Sequence, residues 1–261
     1  PRHIIYRTLD PRLKTLNESG TVLNGHIPIT GVLAFYLWIY AVLTDTPFIA
    51  MSCESSSNDG NLYQGTLAIN HQYSKSLAFE SDFAALTAPL TPSFCYFSLL
   101  RSLSEAHIAR LFARFGHAYF NVFTSCNKAF RLDETKRLHH WCGQCDKCRF
   151  VFLILAPFMD RVALIRAVGH NPLDDSGQEA GYRALLGLKG YKPFECVGTA
   201  DECRFALRTL AASPVWARDI LVQRLAPLLP PPAQGEQDVF TADGAHRIPA
   251  PLQDVFRFFK D

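Results

Sequence analysis

Three cysteines at a C-x2-C-x2-C spacing, Cys142, Cys145 and Cys148, with Gly143 inside the first interval and Cys126 upstream, constrain this chain more than any other feature. A tight C-x2-C turn aims two sulfurs at a common centre while the backbone bends around a small residue. A distant fourth cysteine completes a four-thiolate tetrahedron suited to Zn2+. Such a closed shell has no open position for water, so its metal holds elements together and the chemistry must lie elsewhere. Two other readings of the same residues stand beside zinc. Disulfide pairs would need an oxidising compartment, and the N-terminus shows no signal-peptide pattern. An iron-sulfur cluster also takes four cysteines, though it more often comes with a further Cys-Pro run. His139 or His140 is able to replace one thiol, or the His-His-Trp segment is a loop covering the site.

The 261 residues are 48% hydrophobic and 19% charged with a net charge of +2, which describes a soluble globular chain of one or two domains. Near-neutral charge and scattered arginines argue against a general nucleic-acid binder, so no nucleic-acid partner is expected. Of eight cysteines, four serve the metal, and Cys53, Cys95, Cys196 and Cys203 stay thiols in a reducing, cytoplasmic setting. The chain begins at Pro1 without Met and is expected to be a fragment. The apolar window 27–43 is short for a membrane span, opens on Pro28 and is interrupted by Trp38 and two tyrosines, so a buried helix is expected and no span.

Along the chain, Asn24, Gly25 and His26 form a polar loop ahead of that helix, at an N-terminus able to hold an anion or simply to cap and turn. Residues 48–51 read as a buried strand ending in the polar cluster 52–60, which is either a ligand crevice at a strand end or a surface loop. At helical spacing His71, Lys75 and Phe79 share one face, as do Gln72 and Ser76; that row lines a pocket or is solvated. Residues 94–98 read as a second strand, Ser104 caps a helix with an apolar stripe at Ile108, Leu111, Phe112 and Phe115, and residues 120–123 read as a third strand delivering Cys126. A helix over 149–168 is bent or broken near Pro157. Alternating strands and helices predict an α/β layered domain with a mainly parallel sheet over residues 1–170, followed by a mostly helical extension over 171–261. Thr199 or Asp201 caps a helix there, and the apolar end, 251–259, docks.

The Ser-Cys ahead of the Cys-Gly-x-Cys-x-x-Cys knuckle, downstream of two strand-ending polar loops, resembles the QueC branch of the PP-loop ATP pyrophosphatases. LNGHIPIT, NHQYSKSLAFE, WCGQCDKCRFVFL and KPFECVG together resemble the MurL epimerase family, over roughly residues 23–198. The resemblance implies a partial Rossmann-like PP-loop ATPase sheet with a four-cysteine zinc site. It implies the substrate UDP-MurNAc-L-Ala-L-Glu, with ATP and Mg2+ or Mn2+, in cytoplasmic peptidoglycan precursor synthesis and hence cell-wall biogenesis and cell shape. The α-carboxylate of the terminal L-Glu would be adenylated, its Cα proton removed and returned on the other face, and AMP and the D-Glu product released. One departure stands out: no Ser-Gly-Gly-x-Asp-Ser run for gripping pyrophosphate occurs in the sequence, which is expected to reflect truncation or, alternatively, lost catalysis.

By the same resemblance Asn24 and His26 would contact AMP or phosphate, and Glu54, Ser55 and Asn58 would contact the nucleotide's metal or the substrate. His71, Gln72, Ser74 and Lys75 would face the glutamyl or UDP-sugar part. An epimerase needs proton-relay groups for both faces of Cα. Cys196 and Glu195 are one set, with His71 or Lys75 opposite, because thiols and amines titrate near neutrality when their surroundings shift them. A buried core thiol is the other reading of Cys196. An AMP-forming ligase or amidotransferase and a zinc-binding interaction module are the alternative functions.

Overall fold

The computed structural model describes residues 3–22, 28–60, 62–131, 134–189, 193, 195–242 and 244–258. The polar helix α1 (Arg12–Ser19) has no buried residue and stops at Gly20 in the left-handed region, φ 65°. Then come α2 (Ile29–Thr44), β1 (Phe48–Met51), the hairpin strands β2 (Leu62–Gln64) and β3 (Leu67–Ile69), α3 (Leu77–Thr87), β4 (Cys95–Ser98) and α4 (Glu105–Phe115). The rest is helical: α5 (Asp146–Leu155), α6 (Arg161–Val168), α7 (Glu179–Leu185), α8 (Ala200–Ala212), α9 (Ile220–Leu225), α10 (Gln234–Gln237) and α11 (Gln253–Phe258), with 3-10 turns between α6 and α7, α9 and α10, and α10 and α11.

Helix starts follow their caps. Ser76 accepts from the Phe79 N–H at 3.1 Å, Ser104 from His107 at 3.0 Å, and Asp160 from Ala163 at 2.9 Å. Thr199 and Glu202 form a reciprocal capping box at α8. The expected break near Pro157 separates α5 from α6, because proline has no N–H to continue the ladder.

Strands β1 and β4 pair parallel, Phe48 opposite Cys95 through Met51 opposite Ser98. Alternation along β4 sends Tyr96 into an aromatic core with Ala34 of α2 and Phe83 of α3, and Phe97 to the other face with Leu103, Leu111, Ile248 and Phe256. Phe256 is how the terminal helix docks, as expected. The largest core gathers α4 to α9 around Phe150, Phe152, Leu164, Leu207 and Leu221, and so runs across position 170. The molecule is thus mixed α/β and mostly helical, with a small parallel sheet.

Four local expectations are corrected. Residues 120–123 form no strand: the chain turns repeatedly after Gly116, with Val122 and Phe123 N–H groups both donating to the Tyr119 carbonyl, and Phe120 and Phe123 bury their rings on Phe112 instead. His71, Lys75 and Phe79 share no helix face, because Asn70 Oδ1 takes the Gln72 N–H at 2.8 Å and residues 73–75 make a 3-10 turn, delaying the helix until Ser76. Helix α2 is not buried all round: Thr30, Gly31, Ala34 and Ala41 are covered, while Leu33, Ile39, Val42 and Leu43 face outward. In α4, Phe115 is exposed, the small residues Ala106, Ala109 and Ala113 face the large helical core and let α5 approach closely, and Leu111 points to the other side, against Phe97. Among the described residues no helix is long and apolar enough to cross a membrane.

Candidate functional site

The knuckle is built as its spacing implied. Sγ atoms of Cys126, Cys142, Cys145 and Cys148 all lie within 4.8 Å of one another. Individual separations are 4.0 Å for Cys126–Cys145, 3.7 Å for Cys142–Cys148 and 3.4 Å for Cys145–Cys148. Four sulfurs about 2.3 Å from one central ion in a tetrahedron would stand about 3.8 Å apart, so these residues fit a single metal ion. All four are free thiols, without a disulfide. Gly143 has φ 67°, and the His170 ring occupies the place where a Cβ would stand, so the turn requires glycine there. Trp141 is buried in the same core as Cys126 and Cys148, and its Nε1 donates to the Phe123 carbonyl at 3.0 Å.

A second cluster is assembled from four distant stretches. Lys75 Nζ donates to Cys196 Sγ at 3.2 Å and to Gln72 Oε1 at 3.2 Å, bringing together residues 121 positions apart. Lys147, on the first turns of α5, donates its ammonium to the Cys196 carbonyl. Two ammonium groups therefore bracket Cys196. Burial works to depress the Lys75 pKa, but the Cys196 sulfur, the hydrogen bond to it, and Glu54 and Cys53 hold it above its ordinary value. Glu105 at the start of α4 belongs to the same cluster: burial first, then the charges of Glu54 and Glu202, push its carboxyl up to about 8, with Lys147 and Lys75 opposing. Cys53 is different in kind, since burial lifts its thiol to about 11 and leaves it inert.

One buried arginine holds the two polar loops in register. Arg101, 1% exposed, donates from Nη1 to the Glu54 carbonyl at 2.8 Å and to Ser57 Oγ at 2.7 Å, and from Nη2 to the Lys75 carbonyl. Its charge is met by Glu80 Oε1 at 2.7 Å. The loop after β1 and the turn carrying Lys75 are thus fixed to one guanidinium, whose planar fork suits several acceptors at once.

The structure brings together Lys75, Cys196, Gln72 and Glu54 among the residues singled out from sequence. Glu195 points elsewhere, accepting from Asn127 Nδ2 at 2.7 Å beside the knuckle. Ser55 and Asn58 lie on the 3-10 turn after β1, where Asn58 Oδ1 accepts the Leu77 N–H at 2.8 Å. Ser74 and His71 lie on the neighbouring turn, Ser74 against Gly31 of α2. Asn24 and His26 fall outside the described residues. Sequence reading missed Arg101, Glu105 and Lys147. Glu105 follows the Ser104 cap, where an acid is ordinary helix chemistry, and Arg101 is one scattered arginine among many, so neither carried a motif.

Comparison with known proteins gives two matches to one family: a model of the MurL N-terminal domain over residues 1–99 and of the MurL C-terminal domain over residues 122–240. The UDP-N-acetyl-alpha-D-muramoyl-L-alanyl-L-glutamate epimerase of a Micromonospora species is 44% identical over 255 residues, covering 94% of this chain and 55% of its own length. The epimerase of the same name from Xanthomonas oryzae pv. oryzae is 41% identical over 97% of this chain and 57% of its own, and that from Salinispora tropica 43% identical over 95% and 54%. The chain spans about half the length of the curated relatives it matches. No solved structure matches it.

Proposed function

From the premise that the chain belongs to the MurL epimerase family, we propose that it serves the ATP-dependent epimerisation of the terminal L-Glu of UDP-MurNAc-L-Ala-L-Glu to D-Glu, in cytoplasmic peptidoglycan precursor synthesis. The observation that carries this reading is the Lys75–Cys196 contact of 3.2 Å. Removing a proton next to a carboxylate piles negative charge on negative charge, whereas an α-carboxyl activated as an acyl adenylate spreads it into an enolate. ATP therefore supplies the activation, and this chain supplies the base. Cys196 as thiolate takes the Cα proton, and Lys75 stabilises that thiolate and faces the substrate's anionic parts. Gln72 orients Lys75, and with Ser74 and His71 forms the substrate side.

Glu54, Ser55 and Asn58, at the carboxyl end of β1, are the residues for ATP and its Mg2+ or Mn2+, with Asn24 and His26 on the nucleotide side. The parallel pair β1–β4 is in this reading the local part of a PP-loop-type Rossmann-like sheet. The four-cysteine cluster holds structural Zn2+, because a closed thiolate shell gives no site for water activation. It fixes α5, whose Lys147 grips the Cys196 backbone. Residues 1–170 would be the nucleotide-binding α/β part and 171–261 its helical extension.

The test incubates the complete gene product carrying this sequence in D2O with ATP, Mg2+ and UDP-MurNAc-L-Ala-L-Glu, following AMP and Cα deuterium by mass spectrometry. AMP together with deuterated D-Glu product is the expected result. AMP without deuterium would point to a QueC-like ligase or amidotransferase, and neither product would sink the reading.

A further inference from the structure

A thiol in hydrogen-bond contact with an amine has a chemistry of its own, in which the two groups join. We propose that Cys196 is a modification site for peroxide, whose oxidised sulfur closes onto Lys75 as a reversible sulfenamide, an S–N bridge between residues 121 positions apart. The inference goes beyond the epimerase reading and does not depend on it. Lys75 Nζ stands 3.2 Å from Cys196 Sγ, and both residues are half-buried, so a small oxidant reaches the sulfur while the amine already lies against it. Each partner is also fixed through its own backbone. The Lys75 carbonyl accepts from the buried Arg101 guanidinium and, at 3.0 Å, from Ser57 Oγ, while the Cys196 carbonyl accepts from Lys147. Gln72 Oε1, 3.2 Å from Lys75 Nζ, steadies the amine. Two groups held this way react as parts of one molecule, with no encounter to wait for. The other thiols are placed elsewhere: the knuckle four face one another, Cys53 and Cys203 are buried, and the Cys95 sulfur lies against the Arg247 carbonyl.

Atoms and electrons balance in two steps. The Cys196 sulfur attacks hydrogen peroxide, an S–O bond forms as the O–O bond breaks, and one oxygen leaves as water; sulfur is oxidised by two electrons and peroxide is reduced. The Lys75 nitrogen then attacks the sulfenic sulfur, an S–N bond forms as the S–O bond breaks, and the second oxygen leaves as water with a proton from nitrogen. A thiol reverses the bridge by attacking sulfur, releasing the amine and a mixed disulfide that a second thiol reduces. The first step prepares the second. Burial is the largest influence on Lys75 and favours its neutral amine, and the Cys196 sulfur is foremost among the groups that oppose it. Oxidation to the neutral sulfenic acid removes that opposition and frees the nitrogen lone pair for attack.

The experiment treats the complete gene product with a small excess of hydrogen peroxide, blocks remaining thiols with iodoacetamide, and maps the digest by mass spectrometry. The expected product joins the peptide holding Lys75 to that holding Cys196, two hydrogen atoms lighter than their sum, and dithiothreitol separates them. Lys75→Arg keeps the positive charge but offers no neutral amine, so it should lose the bridge and send Cys196 on to sulfinic acid at the same peroxide dose. A wild-type Cys196 that goes to sulfinic acid, forms a disulfide, bridges to Lys147 or stays unoxidised would overturn the proposal. A Lys75–Cys196 bridge that retains an oxygen atom would overturn its second step. The readout is a mass, so its failure leaves the epimerase reading standing, and the failure of that reading leaves the bridge standing.

Discussion

The knuckle and the Lys75–Cys196 cluster each gather cysteine with help from distant sequence, yet they are opposite designs. At the knuckle four like groups converge on one point, Cys126 and Cys148 fully buried, with nothing between them but room for an ion. At the second cluster unlike groups converge, one thiol and two ammonium groups, with Cys196 and Lys75 only half-buried. Like groups around a centre bind; unlike groups at different protonation states exchange protons. Stability should therefore reside in the first and turnover in the second.

Breaking that division is the direct way to test it. Cys145→Ser should abolish metal content and lower Tm by ~10 °C or more, since a structural metal's binding energy is folding energy; elemental analysis with calorimetry checks both. Unchanged metal content would erase the contrast. Arg101→Met comes next. It strands the buried Glu80 and should cost about 3–5 kcal/mol in denaturant unfolding while leaving the metal bound, because the lost ion pair is fully desolvated.

Cys196→Ser should leave Tm within ~2 °C but cut epimerisation by about 10³-fold, and Lys75→Met should slow iodoacetamide labelling of Cys196 at pH 7 by ~10-fold. A large Tm loss for Cys196→Ser would mean that this thiol is structural after all. The smallest effect sharpens the comparison from the acid side. A carboxyl whose pKa is raised in the folded state favours folding of its protonated form, so its contribution is intact below about 4.5 and is lost as pH rises toward about 8. Glu105→Gln, which cannot ionise, should therefore gain about 2 °C in Tm over wild type between pH 5 and pH 8, read by differential scanning calorimetry, with no gain at pH 4.

Local chemistry was legible in the sequence and long-range convergence was not. The knuckle could be read because spacing and a glycine encode it within one segment, and β1, β4, the Ser104 and Thr199 caps and the Pro157 break followed from residues acting on near neighbours. The 120–123 segment failed because aromatic residues bury as well in a turn against Phe112 as in a strand. Lys75 and Cys196 were set on opposite sides of one relay, but nothing in either neighbourhood states that they touch, as they do. Arg101 was invisible for a deeper reason: its role exists only where two loops and α3 already surround it, and no local pattern distinguishes it from a surface arginine.

The carboxylate of Glu202 has a consequence in time as well as in space. Because it is simultaneously the N-cap partner of α8 and the acceptor for the first turn of α4, the gap between the Cys196 segment and Glu105 cannot widen without its release. The amides of Ala106 and Thr199, remote in sequence, should then surrender their hydrogens to deuterium in a single correlated opening of the two helix starts.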